Sequence, residues 1–138
     1  MYALSFMYPT ETGVDFNWDH YTSVHLPLGA GLTKKLMGHN IKQMIVQRVR
    51  GAGEPGNDAP YYVLCHAMFD TKEEVDKFST LFSYPEAKTR LTQDWPKYTP
   101  HDPEAIVSEW IVMDNIDEMI SRFENELEPA EPASATAA

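Results

Sequence analysis

The chain has 138 residues, 43% apolar and 23% charged, which fits one domain of soluble composition. Its net charge of −10 repels phosphate backbones and anionic lipid surfaces, so nucleic-acid and membrane partners are both disfavoured. No apolar run approaches the length of a membrane span.

Much of the acidity lies at the C-terminal end, where residues 114–138 hold seven acids against Arg122 alone. Cys65 is the single cysteine and has no partner in its own chain, so a reducing cytoplasm is the expected compartment. The start runs straight into strand-like residues, with no basic and apolar leader pattern.

Residues 2–8 (YALSFMY) are aromatic and apolar and stop at Pro9, which predicts a first strand. Asn17 is a good N-cap for a helix reaching about Lys35. Pro27 lies inside that helix, where its missing N–H and bulky ring predict a kink or restart. Gly38-His39-Asn40 is a stop signal. Residues 41–50 (IKQMIVQRVR) alternate as a second strand, and the Gly/Pro-rich stretch 51–60 is a loop. Residues 61–69 (YYVLCHAMF) form a nearly continuous apolar run, as in a strand buried on both faces.

Thr71-x-x-Glu74 matches a capping box and opens a second helix, with Val75, Phe78, Leu81 and Phe82 as its apolar stripe. A short helical segment follows from Tyr84-Pro85-Glu86 to about Gln93. Residues 94–104, with three prolines, read as an ordered crossing loop. Residues 105–113 (AIVSEWIVM) read as a fourth strand. Asn115-x-x-Glu118 is a second capping-box match, and Ile116, Met119, Ile120, Phe123 and Leu127 form the stripe of a last helix over 114–127. Residues 128–138 have too little apolar bulk to order themselves.

The order is an α+β, ferredoxin-like β-α-β-β-α-β unit over residues 1–113, plus a C-terminal helix. Helices cover one face of such a sheet. The first strand puts Leu4, Phe6 and Tyr8 on one face and Met7 on the other, and the third is apolar on both. A homodimer with facing sheets is the expected way to cover the second face.

Four stretches carry a family resemblance. They are Tyr8-Pro9, the run His20-Tyr21-Thr22-Ser23-Val24-His25-Leu26-Pro27-Leu28, Pro60-Tyr61-Tyr62, and Asp94-Trp95-Pro96-Lys97-Tyr98-Thr99. Together they resemble the EthD family of the dimeric α+β barrel superfamily, over roughly residues 1–113. The resemblance implies a barrel whose cavity binds small hydrophobic molecules. Superfamily relatives include cofactor-free isomerases, cyclases, decarboxylases and monooxygenases as well as haem enzymes, so fold alone does not choose the chemistry. The chain has no G-x-G-x-x-G fingerprint, so a nicotinamide-dependent reductase is not supported.

His25 is the leading candidate for chemistry. Trp18, Tyr21 and His25 follow i, i+3, i+7 on one helix face, and an imidazole exchanges protons near neutral pH. The bland alternative is a histidine that packs at a helix kink. Tyr21 is either a hydrogen-bond donor to a substrate oxygen or a core aromatic. His66 lies mid-strand in an apolar run and must be hydrogen-bonded or face a ligand. It is a second catalytic candidate, a proton-transfer partner for His25 across a pocket. Trp18, Phe6 and Tyr62 are expected to line that pocket, with Tyr98 and Thr99 closing one end.

Asp19 and Asp94 are read as caps or solvated groups, with orientation of a histidine as the alternative. Cys65 is read as inert packing, and Glu109, if buried, as a general base. No zinc-type spacing occurs. His20 and His25 are five apart, about 140° around an α-helix, so they should diverge. The resulting expectation is a cofactor-independent lyase or isomerase acting on a small hydrophobic, aromatic or polyketide-like compound. The alternatives are a non-catalytic binder serving a partner oxygenase, and a haem-dependent oxygenase.

Overall fold

The computed structural model describes residues 1–38 and 40–127. Four strands form one antiparallel sheet in the order β2-β3-β1-β4: β1 (Tyr2–Pro9), β2 (Gln43–Arg48), β3 (Tyr61–Phe69) and β4 (Glu104–Glu109). This is the expected ferredoxin-like arrangement. The register places Phe6 opposite Cys65 and Leu4 opposite Ala67 on β1 and β3. These side chains face the helices, and Ser5 and His66 face the other way. Most of the core lies on the helix side, where Leu4, Leu32, Ala67, Phe69, Val75, Phe78, Leu81, Ala87 and Leu91 pack together.

The Thr71–Glu74 capping box forms in full at the start of α3 (Lys72–Phe78). The apolar stripe outruns this helix. Leu81 and Phe82 sit in a 3₁₀ turn, Leu81–Ser83, yet still reach the core. The next helix, α4 (Pro85–Asp94), uses Pro85 in its first turn, where a missing N–H costs nothing. Phe69 is 1% exposed and its ring centroid lies 5.2 Å from that of Phe78. Phe69→Ala is expected to destabilise the fold by about 3–5 kcal/mol through the cavity it opens, read as a lower denaturant midpoint at unchanged slope.

The first helix, expected to kink or restart at Pro27, instead changes its winding just before it. It runs through α1 (Trp18–His20), a π turn at Tyr21–His25 and α2 (Leu26–Met37) without a break. Asn17 caps it as expected, accepting from the His20 amide at 3.1 Å. In the wide turn the Leu26 amide bonds the Tyr21 carbonyl, five residues back. Pro27 comes directly after this widened turn, so its missing N–H is absorbed by altered winding instead of a break. The helix ends at Gly38, whose φ of 64° suits glycine and whose amide bonds the Lys34 carbonyl.

The C-terminal end departs most from expectation. β4 stops at Glu109; the Trp110 amide still donates to the Met1 carbonyl at 2.7 Å, and residues 111–113 continue outside the strand. The last helix, α5 (Ile116–Phe123), forms without the Asn115 capping bond, although Glu118 and Arg122 do pair at 3.1 Å. The readings at His39 and over residues 128–138 lie outside the described residues. Among the described residues no helix is long and apolar enough to cross a membrane.

Candidate functional site

The two best-conditioned stretches of the sequence, the His20–Leu28 run and the Asp94–Thr99 segment, meet in space. The Asn17 amide donates to the Tyr98 carbonyl at 2.9 Å, which ties the first helix to this segment. Asp94, the last residue of α4, is 4% exposed and accepts two imidazole hydrogen bonds. His20 Nε2 lies 2.9 Å from its Oδ1 and His25 Nδ1 lies 3.0 Å from its Oδ2. The Lys97 ammonium stands farther off, at 3.9 Å from Oδ1.

This convergence corrects the expectation that His20 and His25 diverge. An i→i+5 turn makes residues five apart near neighbours, whereas an α-helix would splay them. The π turn therefore aims both rings at one carboxylate. Aromatic packing fixes them there. The Tyr98 ring stacks on His20 at 6.0 Å and lies 4.7 Å from His25, and Tyr21 stacks on His25 at 5.9 Å.

The electrostatics follow from burial and from these bonds. Burial pushes His25 below its ordinary value, and the hydrogen bond and charge of Asp94 oppose this only in part. His25 is thus neutral at neutral pH. Burial alone would raise the Asp94 carboxyl, but the bonds from His20 and His25 win and hold it below the usual range. An ionised carboxylate only accepts, so the proton of neutral His25 sits on Nδ1. The Nε2 lone pair makes no bond to the described residues. That arrangement is an imidazole base with a carboxylate behind it to stabilise the imidazolium once a proton is gained.

His25 borders a hollow of about 340 Å³ between the sheet and the helices. Its lining includes Phe6, Tyr21, Cys65, Phe82, Leu91 and Trp95, with Pro27, Ala30 and the exposed Met44 at the outer rim. Asp94 does not line it, so the imidazole stands between the carboxylate and the hollow. Tyr21 is fully buried and its hydroxyl makes no well-formed bond, although the Tyr8 hydroxyl and the Cys65 thiol are its neighbours. Tyr98 donates to the Tyr8 hydroxyl at 3.0 Å. Burial raises all three phenols and the Cys65 thiol, so all four stay protonated at neutral pH. Cys65 is thereby a poor nucleophile, as the packing reading expected.

The other sequence candidates are dispersed. Phe6 and Tyr21 share the hollow with His25. Tyr98 braces His25 from behind and does not close the cavity, and Thr99 is buried beside it with an unpartnered hydroxyl. Trp18 and Tyr62 border a different, open groove with Arg48, whose guanidinium lies 4.8 Å from the Trp18 ring centroid. His66 is on the opposite face of the sheet from His25, because residue 65 and not 66 faces the helices. It cannot exchange protons with His25. Its Nδ1 lies 2.6 Å from Ser5 Oγ, its Nε2 contacts Gln47, and the Trp110 ring meets it edge-on at 5.0 Å. Glu109 is exposed, not buried as the general-base expectation required.

A family model for the EthD domain matches residues 10–102. The chain belongs to the EthD family. The fold is similar to that of an EthD-like protein from Ralstonia eutropha JMP134, at a TM-score of 0.64 and 21% identity. That match covers 83% of this chain and 96% of the other. An ethyl tert-butyl ether D (EthD) family protein from Bacillus halodurans C-125 is also similar, with a TM-score of 0.53 and 21% identity over 80% of this chain and 99% of that one. No curated protein matches this chain in sequence. The EthD domain match ends at residue 102, ahead of β4 and α5.

Proposed function

We propose that this EthD-family protein is a cofactor-independent acid–base catalyst, a lyase or isomerase that moves a proton on a small hydrophobic molecule. His25 is the base and Asp94 its positioning carboxylate. The observation that carries this reading is the free Nε2 of a carboxylate-backed imidazole bordering an apolar hollow of about 340 Å³. That volume is at the low end of small-ligand sites. Tyr21 and Phe6 serve as walls of the site, and Tyr98 holds the imidazole from behind.

The test is exchange of an acidic C–H proton. The probe is 2-tetralone, a neutral aromatic ketone, followed by NMR in deuterated buffer. The wild-type protein is expected to accelerate exchange of the protons beside the carbonyl, and His25→Gln to abolish the acceleration. Wild-type exchange no faster than that of His25→Gln would overturn catalysis by His25. Probe binding without exchange would leave a non-catalytic carrier of hydrophobic molecules.

A second copy of the chain completes the fold in this reading. Val112 is 82% exposed, and α5 presents Ile116, Ile120 and Phe123, each more than half exposed. Apolar side chains this exposed on one chain call for a partner, and Met7 and Leu64 on the helix-free sheet face are likewise only half-buried. Light scattering after size exclusion is expected to give a dimer at micromolar concentration, and Phe123→Glu to shift it toward monomer. A wild-type monomer under those conditions would rule the dimer out.

A further inference from the structure

We propose that the hollow selects an uncharged ligand that presents one hydroxyl or enol proton to His25 Nε2, and that it rejects carboxylates and phosphates. This deepens the acid–base reading of the same site and rests on it. The argument starts from the composition of the walls. None of the lining residues is a lysine, arginine, aspartate, glutamate, asparagine or glutamine. A ligand anion would therefore enter with no counter-charge and no amide to solvate it, which is costly in an apolar space. A fixed charge, Asp94, stands directly behind His25, and it has the wrong sign for an anion. The chain's net charge of −10 adds to that repulsion.

Most polar groups of the wall are already committed. Thr22 Oγ1 donates to the Trp18 carbonyl at 3.0 Å and Thr33 Oγ1 to the Gly29 carbonyl at 2.7 Å. The Tyr8 hydroxyl accepts from Tyr98 at 3.0 Å, and the Tyr21 hydroxyl, though unpartnered, is buried out of reach of a water-sized contact. The free polar atom of the dyad is His25 Nε2, which is an acceptor because Nδ1 carries the proton bonded to Asp94. An acceptor-only anchor in an apolar wall distinguishes a ligand that donates a proton from one that cannot. A ketone meets this condition through its enol and a phenol through its hydroxyl, whereas an ether or ester of the same shape offers nothing to the imidazole.

Three probes of one shape separate these properties: 4-propylphenol, 4-propylanisole and 4-propylbenzoate, titrated into the full-length wild-type protein at pH 7.5 by calorimetry. The phenol is expected to bind about fivefold or more tighter than the anisole, as one buried hydrogen bond allows, and at least about tenfold tighter than the benzoate. In His25→Ala the preference for phenol over anisole is expected to vanish while both still bind. Benzoate binding as tight as phenol would overturn the ligand class, as would anisole matching phenol in the wild type. Either result leaves the acid–base reading to its own exchange test. Failure of all three probes to bind would overturn the shared premise that the hollow is a ligand site.

Discussion

His25→Gln is expected to lower the rate of catalysed proton exchange by about 10²–10⁴-fold, the usual worth of a positioned general base. Glutamine keeps much of the volume and can still bond Asp94, so binding of a neutral probe should change far less than turnover. The pH dependence gives an independent reading. Burial, opposed only in part by Asp94, holds His25 below its ordinary value. The base form is therefore already dominant at neutral pH. Wild-type exchange is expected to rise as pH increases through that lowered value and then to stay level across neutrality. A rise centred above the ordinary histidine range would show that a different group is the base. Loss of less than tenfold in His25→Gln would remove His25 from the mechanism.

Acid stability should follow the same two groups. Asp94 is held below the usual carboxylate range in the folded chain, so its contribution is intact at neutral pH and is lost as pH falls through that lowered value. His25 acts in the same direction. Because its folded value is depressed, the unfolded chain binds the proton more readily, and stability drops as pH falls below the ordinary histidine value.

The elements with strong local signals were legible in the sequence. The capping box at Thr71–Glu74, the Asn17 cap and the apolar third strand each formed where the residues indicated. His25 and Tyr21 were legible as one pair on one helix face. The rest of the site was hidden by one assumption, that the first helix keeps α-helical winding. The Pro27 signal was correctly located and was read as a kink or restart of an α-helix. A π turn answers the same missing N–H and rotates His20 toward His25. Asp94 is far away in sequence and resembles an ordinary helix-end acid. The two imidazole bonds that it accepts, from rings held by Tyr98, show why a carboxylate is buried there.

The placement of His66 was hidden for another reason. A strand apolar on both faces does not reveal which face meets the helices, and a shift of one residue reverses every side chain. Once the register put Cys65 toward the helices, His66 fell on the other face, in a network with Ser5 and Gln47. The C-terminal stripe is helical from Ile116 to Phe123, while Leu127, expected in the same stripe, falls beyond the helix. What the stripe lacks is a surface within its own chain to pack on, and periodicity carries no information about that.

Asp94→Asn is expected to reduce exchange at least about a hundredfold while leaving the fold largely in place, by analogy with the carboxylate of hydrolytic triads. The amide retains the shape of the carboxylate but offers one acceptor and one donor where two acceptors stood. Two imidazole N–H groups can no longer both be satisfied, so one ring must change tautomer. If that ring is His25, its proton moves to Nε2 and the hollow loses its acceptor. If it is His20, His25 keeps its tautomer but loses the negative charge that would stabilise the imidazolium. Both outcomes weaken the base, and they differ in the ¹⁵N spectrum of the His25 ring. Asp94 raises the His25 value by hydrogen bond and by charge, so its neutralisation moves the His25 titration further down and carries the acid limb of the rate profile with it. A merely structural aspartate would alter stability and leave that titration where it was. An unchanged His25 titration in Asp94→Asn would therefore separate the carboxylate from the chemistry, even if activity fell.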